Sequence, residues 1–168
     1  GRRSLVVGVG GVGRGELEAV ADLADEAVAG VREVWGPGWD DGAGTRVVVV
    51  VPATTADLGA LLGRDVDRLG QIAAVATVEG AGTGTGAARV WVHRSVMDSL
   101  TPLGRLIVMR HELLHVATGA AATSATPLWL EEGLAEYVGY RGSGVPVRVV
   151  AGDVLPALAS GRLRALPG

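Results

Sequence analysis

The sequence predicts a single α+β domain, in which a small mixed sheet packs against helices. Two patterns predict it: short runs rich in β-branched residues, the clearest at 46–51, and segments whose apolar residues recur at helical spacing. The chain has 168 residues, of which 48% are hydrophobic and 20% charged. This composition is typical of a globular domain, and the length is sufficient for a hydrophobic core. We therefore expect one domain over residues 1–168.

The elements follow from these patterns in chain order. A glycine-proline-glycine stop at 36–38 ends the first helix, and Thr55 or Asp57 is expected to cap the second. The strand at 46–51 is expected to be central and buried on both faces, because it has no polar alternation. A glycine-rich link at 80–86 separates the last two strands. Strands are predicted at 5–7, 46–51, 72–78 and 88–94, and helices at 16–35, 56–63, 104–118, 127–137 and 153–160.

A glycine-rich turn, Gly8 to Gly13, lies between the first strand and the first helix. Its Gly-x-Gly-x-x-Gly spacing is the outline of a dinucleotide-binding turn. Such spacing arises easily in a chain with 27 glycines. No acidic residue ends the second strand to bind a ribose, and Glu33 falls within the helix instead. The sequence favours a loop or hairpin entering the helix, with a dinucleotide-binding domain as a remote alternative.

The segment His111-Glu112-Leu113-Leu114-His115 contains two of the three histidines of the chain. Residues four apart share one face of an α-helix, so both imidazoles can reach one metal ion. Glu112 is rotated by about 100° from His111 and can take a proton from a water beside the metal. The surrounding side chains are apolar, so unpaired polar groups there would be costly. The alternative is a core helix whose histidines bond to backbone, and the pattern disfavours it.

A second helix, predicted from Pro127, carries Glu132 and Glu136 four residues apart. Sixteen residues lie between His115 and Glu132, and the small-residue loop at 119–126 can turn the chain so that the two helices are antiparallel. Glu132 would then be a third ligand, leaving the fourth position of a catalytic zinc open for water. Glu136 could accept the spare ring N–H of a ligand histidine. Glu131 is expected on a solvated helix face.

The motifs HELLH and WLEEGLAEY together resemble the gluzincin metallopeptidases, which include thermolysin and the M1 aminopeptidases, and especially the small bacterial peptidase MA-like domains. The resemblance implies Zn²⁺ held by His111, His115 and Glu132, with Glu136 supporting the first histidine. It also implies a zincin-like fold with a substrate-binding edge strand before the zinc helix, for which the strand at 88–94 is the candidate. His93 on that strand is expected to be a surface residue rather than a ligand. The metzincin pattern fails, because no histidine follows His115.

Two features of these families are missing. Residues 80–89, GAGTGTGAAR, lack the glutamate with which M1 aminopeptidases grip the substrate's free amine, so aminopeptidase activity is not expected. The oxyanion-stabilising residue of the family comes later in the chain, and the candidates here are Tyr137 and Tyr140. We therefore expect a segment of a longer protein, with an N-terminal α/β part at 1–100, the zinc-site helices at 101–141 and the start of a C-terminal extension at 142–168.

Two functional classes remain. The first is a zinc peptidase acting on peptides or proteins, with endopeptidase action favoured. The second is a zinc-binding interaction or sensor domain without catalysis, which the presence of Glu112 disfavours.

A net charge of −3 provides no basic surface for nucleic acid, and no apolar run is long enough for a membrane span. All fifteen basic residues are arginine, which suggests a high-GC bacterium, and the resemblance implies an extracytoplasmic location.

Overall fold

The computed structural model describes residues 2–39, 47–78, 88–119, 126–152 and 154–162. Within these ranges the protein has a mixed α+β fold with four strands and seven helices, which confirms the predicted fold class at this level. The glycine-rich sequence within 79–87, residues 120–125 of the predicted loop, Arg46 and Asp153 lie outside the described residues. No helix in the described ranges is both long and apolar enough to cross a bilayer.

Four strands, β1 (Ser4–Val9), β2 (Val47–Pro52), β3 (Ala74–Val78) and β4 (Ala88–Val92), form one sheet in the order β1-β2-β4-β3. The first two strands and β4 are parallel, and β3 runs antiparallel to β4. In the register of the sheet, Val49 pairs with Val6 on one side and with Val90 on the other, and Ala76 also pairs with Val90. The valine run of β2 is therefore interior to the sheet and largely buried on both faces, as the sequence predicts.

The strand predicted at 88–94 is not an edge strand: the edges of the described sheet are β1 and β3, and β3 is the edge strand that lies against the histidine-bearing helix. The predicted strand, β4, lies between β2 and β3, whereas β3 pairs on one side with β4 and has no partner on its other side among the described strands. Val90, Trp91 and Val92 are all buried, because neighbours cover both faces of β4. A short helix at 94–99 also separates β4 from the histidine-bearing helix. Side-chain alternation could not reveal this, since it assigns residues to faces and does not say which of two strands is outermost.

Helices cover both faces of the sheet. The first and fourth helices pack together over one face, where the side chains of Val49 and Val90 join a core with Val28, Met109 and Leu113. On the opposite face Val50 and Trp91 pack against Leu58 of the second helix and against Leu69, which follows a short 3-10 turn at Val66–Arg68. The helices are α1 (Arg14–Trp35), α2 (Thr55–Leu62), α3 (Arg94–Ser99), α4 (Pro102–Thr118), α5 (Leu128–Tyr140), α6 (Val147–Val150) and α7 (Val154–Ala159).

The cap of α2 is Thr54, one residue before Thr55, the nearer of the two predicted residues. Its hydroxyl accepts the backbone N–H of Asp57 at 3.1 Å, and the Asp57 carboxylate accepts the backbone N–H of Thr54 at 3.1 Å, which completes a capping box. Asp57 therefore takes part in the cap as expected. Thr55 does not, because its hydroxyl lies 3.0 Å from His93 Nε2.

The glycine turn after β1 is a loop that enters α1, the arrangement that the sequence favours. With β2 parallel beside β1, the segment forms a β–α–β unit. A side chain at Gly10 (φ 82°) would come within 3.1 Å of the Asp57 Oδ2 atom, so an acidic group faces the turn. That charge opposes a pyrophosphate at this position. Glu33 pairs instead with Arg141 at 3.3 Å, on the surface.

Candidate metal centre

Helix α4 presents its polar groups to the space between β3 and α5. Thr101 caps the helix by accepting the N–H of Gly104 at 3.1 Å, and Gly119 (φ 64°) ends it. Met109, Leu113 and Leu114 are fully buried in the core and fix the rotation of the helix about its axis. The face that carries His111, Glu112 and His115 is thereby turned towards the edge strand.

Helices α4 and α5 are antiparallel, as the sequence predicts. Near one end of the pair, residue 139 lies against Ile107, and near the other, Glu132 lies against both histidines. The helices approach closely because residue 139 is glycine: a Cβ there would lie 3.0 Å from the Ile107 carbonyl oxygen. This close contact sets how far Glu132 reaches across to α4.

His111, His115 and Glu132 form a group that could hold a metal ion. The Nε2 atoms of the two histidines are 3.1 Å apart, and Glu132 Oε2 lies 3.3 Å from the first and 3.7 Å from the second. Ligand atoms around a tetrahedral zinc ion, at bond lengths near 2.0–2.1 Å, are separated by about 3.3–3.4 Å. The three atoms therefore fit a single small ion.

Glu112 is held beside this group by the edge strand. Its Oε2 atom accepts the backbone N–H of Ala76 at 2.7 Å. Burial of the carboxylate raises the pKa of Glu112 to about 7; the hydrogen bond from Ala76 acts in the opposite direction, and the negative charge of Glu132 adds to the rise. The pKa of His111 is lowered, mainly by burial and then by His115, against the opposing charges of Glu132 and Glu136.

Two cavities flank His111 and Glu112, and both include Ile72 and Ala74. The first, of about 300 Å³, extends along β3 towards His115 and the start of α5. The second, of about 340 Å³, extends in the other direction. It reaches four apolar side chains in α3, just after α3 and in α4: Val96, Leu100, Ile107 and Val108. A larger cavity of about 510 Å³ lies between α1 and the start of α4, and none of the three residues that could hold a metal ion lines it.

The other predicted site residues, Tyr140, Tyr137 and Glu136, differ in their positions relative to the two cavities. Tyr140 lines the second cavity together with Glu112 and His111. Tyr137 is 57% exposed and lines neither cavity of the site. Glu136 also lines the second cavity, but its side chain is exposed and no hydrogen bond joins it to a histidine within the described residues.

Two expectations about polar residues are wrong. His93 is 5% exposed, not on the surface: its Nδ1–H donates to the Ile72 carbonyl at 2.9 Å, and Nε2 lies 3.0 Å from the Thr55 hydroxyl. Glu131 is half-buried and lines the first cavity rather than a solvated face. The only sequence signal that could have indicated Glu131 is its position next to Glu132.

Comparisons of this chain with models of known protein families, with curated proteins and with solved structures find no match. The chemistry assigned to the site therefore depends on the geometry and charges of the residues described above.

Proposed function

We propose that the protein is a zinc-dependent peptidase of the gluzincin type, with endopeptidase action favoured over exopeptidase action. The observation that carries the proposal is the triangle of His111 Nε2, His115 Nε2 and Glu132 Oε2, beside which lies the Glu112 carboxylate. Two histidines and a glutamate are the ligands of a common catalytic zinc site, which keeps its fourth position open. A purely structural zinc site would not need Glu112.

A zinc ion bound here would act as a Lewis acid that brings the pKa of a bound water to about 7. Glu112 takes the proton of the attacking water and returns it to the leaving amine, as a general base and then a general acid. Tyr140 lines the second cavity together with Glu112, and we assign it to donate a hydrogen bond to the oxyanion. Such a donor contributes roughly 2.7–4 kcal/mol to transition-state stabilisation. The exposed Tyr137 is not given this role.

An extended peptide is the substrate that the surroundings of the site favour. Val75 and Thr77 face β4 in the antiparallel pair, so by alternation the backbone groups of Ala74, Ala76 and Val78 point to the unpaired side of β3. A peptide can add there as a further strand through main-chain hydrogen bonds. A substrate carbonyl paired with Ala76 would replace Glu112 as the acceptor of its N–H, and this would free the Glu112 carboxylate for proton transfer.

The proposal is tested by measuring zinc content and peptide hydrolysis on the same preparations, purified without a metal-affinity step. We expect about one zinc per chain, the stoichiometry of a mononuclear site. The Glu112→Gln variant should keep its zinc and lose about 10²- to 10⁴-fold in kcat/KM, because a general base contributes that much. The Glu132→Ala variant should bind zinc more weakly. The Glu26→Gln variant, which changes an exposed acid on α1, is the matched control and should behave as the wild type.

The outcomes separate the two functional classes. Wild-type protein that binds no zinc after stoichiometric addition would contradict the proposal as a whole. Zinc binding without hydrolysis of any peptide in a diverse pool would favour the zinc-binding interaction domain. Hydrolysis that survives in Glu112→Gln would show that another group moves the proton.

A further inference from the structure

The first cavity of the site, of about 300 Å³, contains an acidic group that the proposed chemistry does not use. It is bounded by residues 72 and 74–76 in and before β3, by Glu131, and by the metal-binding residues of α4 and α5 together with Glu112. Glu131 is not part of the group that could hold the metal, which consists of the two histidines and Glu132. Glu131 is therefore available to interact with a molecule that enters the cavity.

One oxygen of the Glu131 carboxylate lacks a hydrogen-bond partner within the described part of the chain. Its Oε1 atom is buried and has no hydrogen-bond partner among the described residues. A buried carboxylate oxygen without a partner costs free energy, since it gives up water without gaining a donor. A ligand that brings a donor, and above all a positive charge, would remove that cost.

We propose that Glu131 binds a cationic group of the substrate, an ammonium or a guanidinium, next to the scissile bond. This proposal rests on the peptidase function proposed above. A peptide added along β3 passes between the two cavities, with one side chain or chain end directed to each. The second cavity has mostly apolar walls, and its two acids are Glu112, which the proposed chemistry uses, and Glu136, which is exposed to water. The first cavity is thus the better environment for the cation. The net charge of −3 also favours the approach of basic peptides.

The cation could be the substrate's amino terminus or a lysine or arginine side chain, and matched peptides distinguish the two sources. One pair of decapeptide pools carries arginine or citrulline, its uncharged isostere, at a fixed central position. A second pair carries a free or an acetylated amino terminus. Binding is measured by calorimetry to zinc-loaded Glu112→Gln protein, which should not turn the peptides over, and to Glu112→Gln/Glu131→Gln.

We expect Glu131→Gln to weaken binding of the cationic member of one pair by about 10- to 100-fold, the range for a charge-assisted hydrogen bond. It should leave the uncharged member unchanged. The same preference should appear in kcat/KM when Glu131→Gln is compared with the wild type. Dependence on arginine assigns the side chain as the source, and dependence on the free amine assigns the amino terminus. Zinc content should not change in Glu131→Gln, while Glu26→Gln controls for the loss of one negative charge.

The two proposals fail differently. If the wild type hydrolyses peptides but neither pair distinguishes Glu131→Gln from the parent, the cation site is overturned and the peptidase remains. If zinc-loaded protein neither binds nor hydrolyses peptides, both are overturned.

Discussion

Burial of Glu112 gives the metal-free protein a pH-dependent stability. The pKa of this carboxyl rises from an ordinary value of 4.5 to about 7 in the folded protein, so folding favours its protonated form. Its contribution to the free energy of unfolding is fully present below pH 4.5 and is lost as the pH rises through about 7. The shift corresponds to at most about 3.4 kcal/mol, and solvent at this partly buried group reduces that value.

We therefore expect metal-free wild-type protein to lose stability relative to Glu112→Gln between pH 5 and pH 8, since glutamine does not ionise. Urea unfolding in the presence of a chelator measures the difference. The amide oxygen of glutamine can still accept the N–H of Ala76, so this contact is preserved in the control. A difference between the two proteins that does not change with pH would show that Glu112 is not buried as described.

His93 shows how burial changes the interpretation of a residue. Its sequence position near the end of a strand gives no sign that three partners surround it. The ring bonds to the carbonyl of Ile72 and lies within reach of the hydroxyls of Thr55 and Ser95, so the strand end is tied to α2 and to the segment before β3. Because Ile72 lines both cavities of the site, this buried histidine helps to fix the start of the edge strand.

At the scale of elements, the packing of α4 against α5 determines the distance between Glu132 and the two histidines that could hold a metal ion. Gly139 permits the close approach, so Gly139→Ala should push α5 away from the Ile107 carbonyl. Overpacking of this kind costs about 1–3 kcal/mol, offset by about 1 kcal/mol from the better helix propensity of alanine. We expect a net loss of up to about 2 kcal/mol in the free energy of unfolding, measured by urea denaturation, together with weaker metal binding.

Gly133→Ala is the matched control on the same helix. A Cβ at Gly133 meets no atom within 4 Å of the described structure, so only helix propensity changes, and stability should rise by up to about 1 kcal/mol. If both variants were equally stable and bound metal equally well, the contact at Gly139 would not control the spacing of the helices.

At the scale of the whole molecule, metal binding should stabilise the fold because the ligands come together only when α4 and α5 are packed. A metal present at about 1,000 times its Kd would add about 4 kcal/mol to the free energy of unfolding. For a chain of this size, that should raise the midpoint of thermal unfolding by about 8–16 °C. We expect this increase with zinc, its reversal by a chelator, and a much smaller increase in Glu132→Ala. An unchanged midpoint in wild-type protein would argue against a preformed site.

Much of the fold could be predicted because local patterns determine it. The 22-residue helix α1 has apolar residues at helical spacing, and the valine run of β2 has no polar alternation, so both were assigned close to their observed bounds. The short helices α3 and α6, of six and four residues, were not predicted. Helices of that length have too few turns to display a periodic apolar face, and tertiary contacts or local turns decide them.

By itself, the sequence determined which residues on α4 could hold a metal ion, because the i, i+4 spacing of His111 and His115 fixes their common face on any α-helix. It also identified Glu132 as the third member of the group. The tertiary structure alone decided which strand forms the edge, that Glu112 is held by Ala76, and that Glu131 rather than Tyr137 faces the site. The reason is that helical spacing is a local property of the backbone, whereas strand order and burial depend on contacts between residues far apart in the chain.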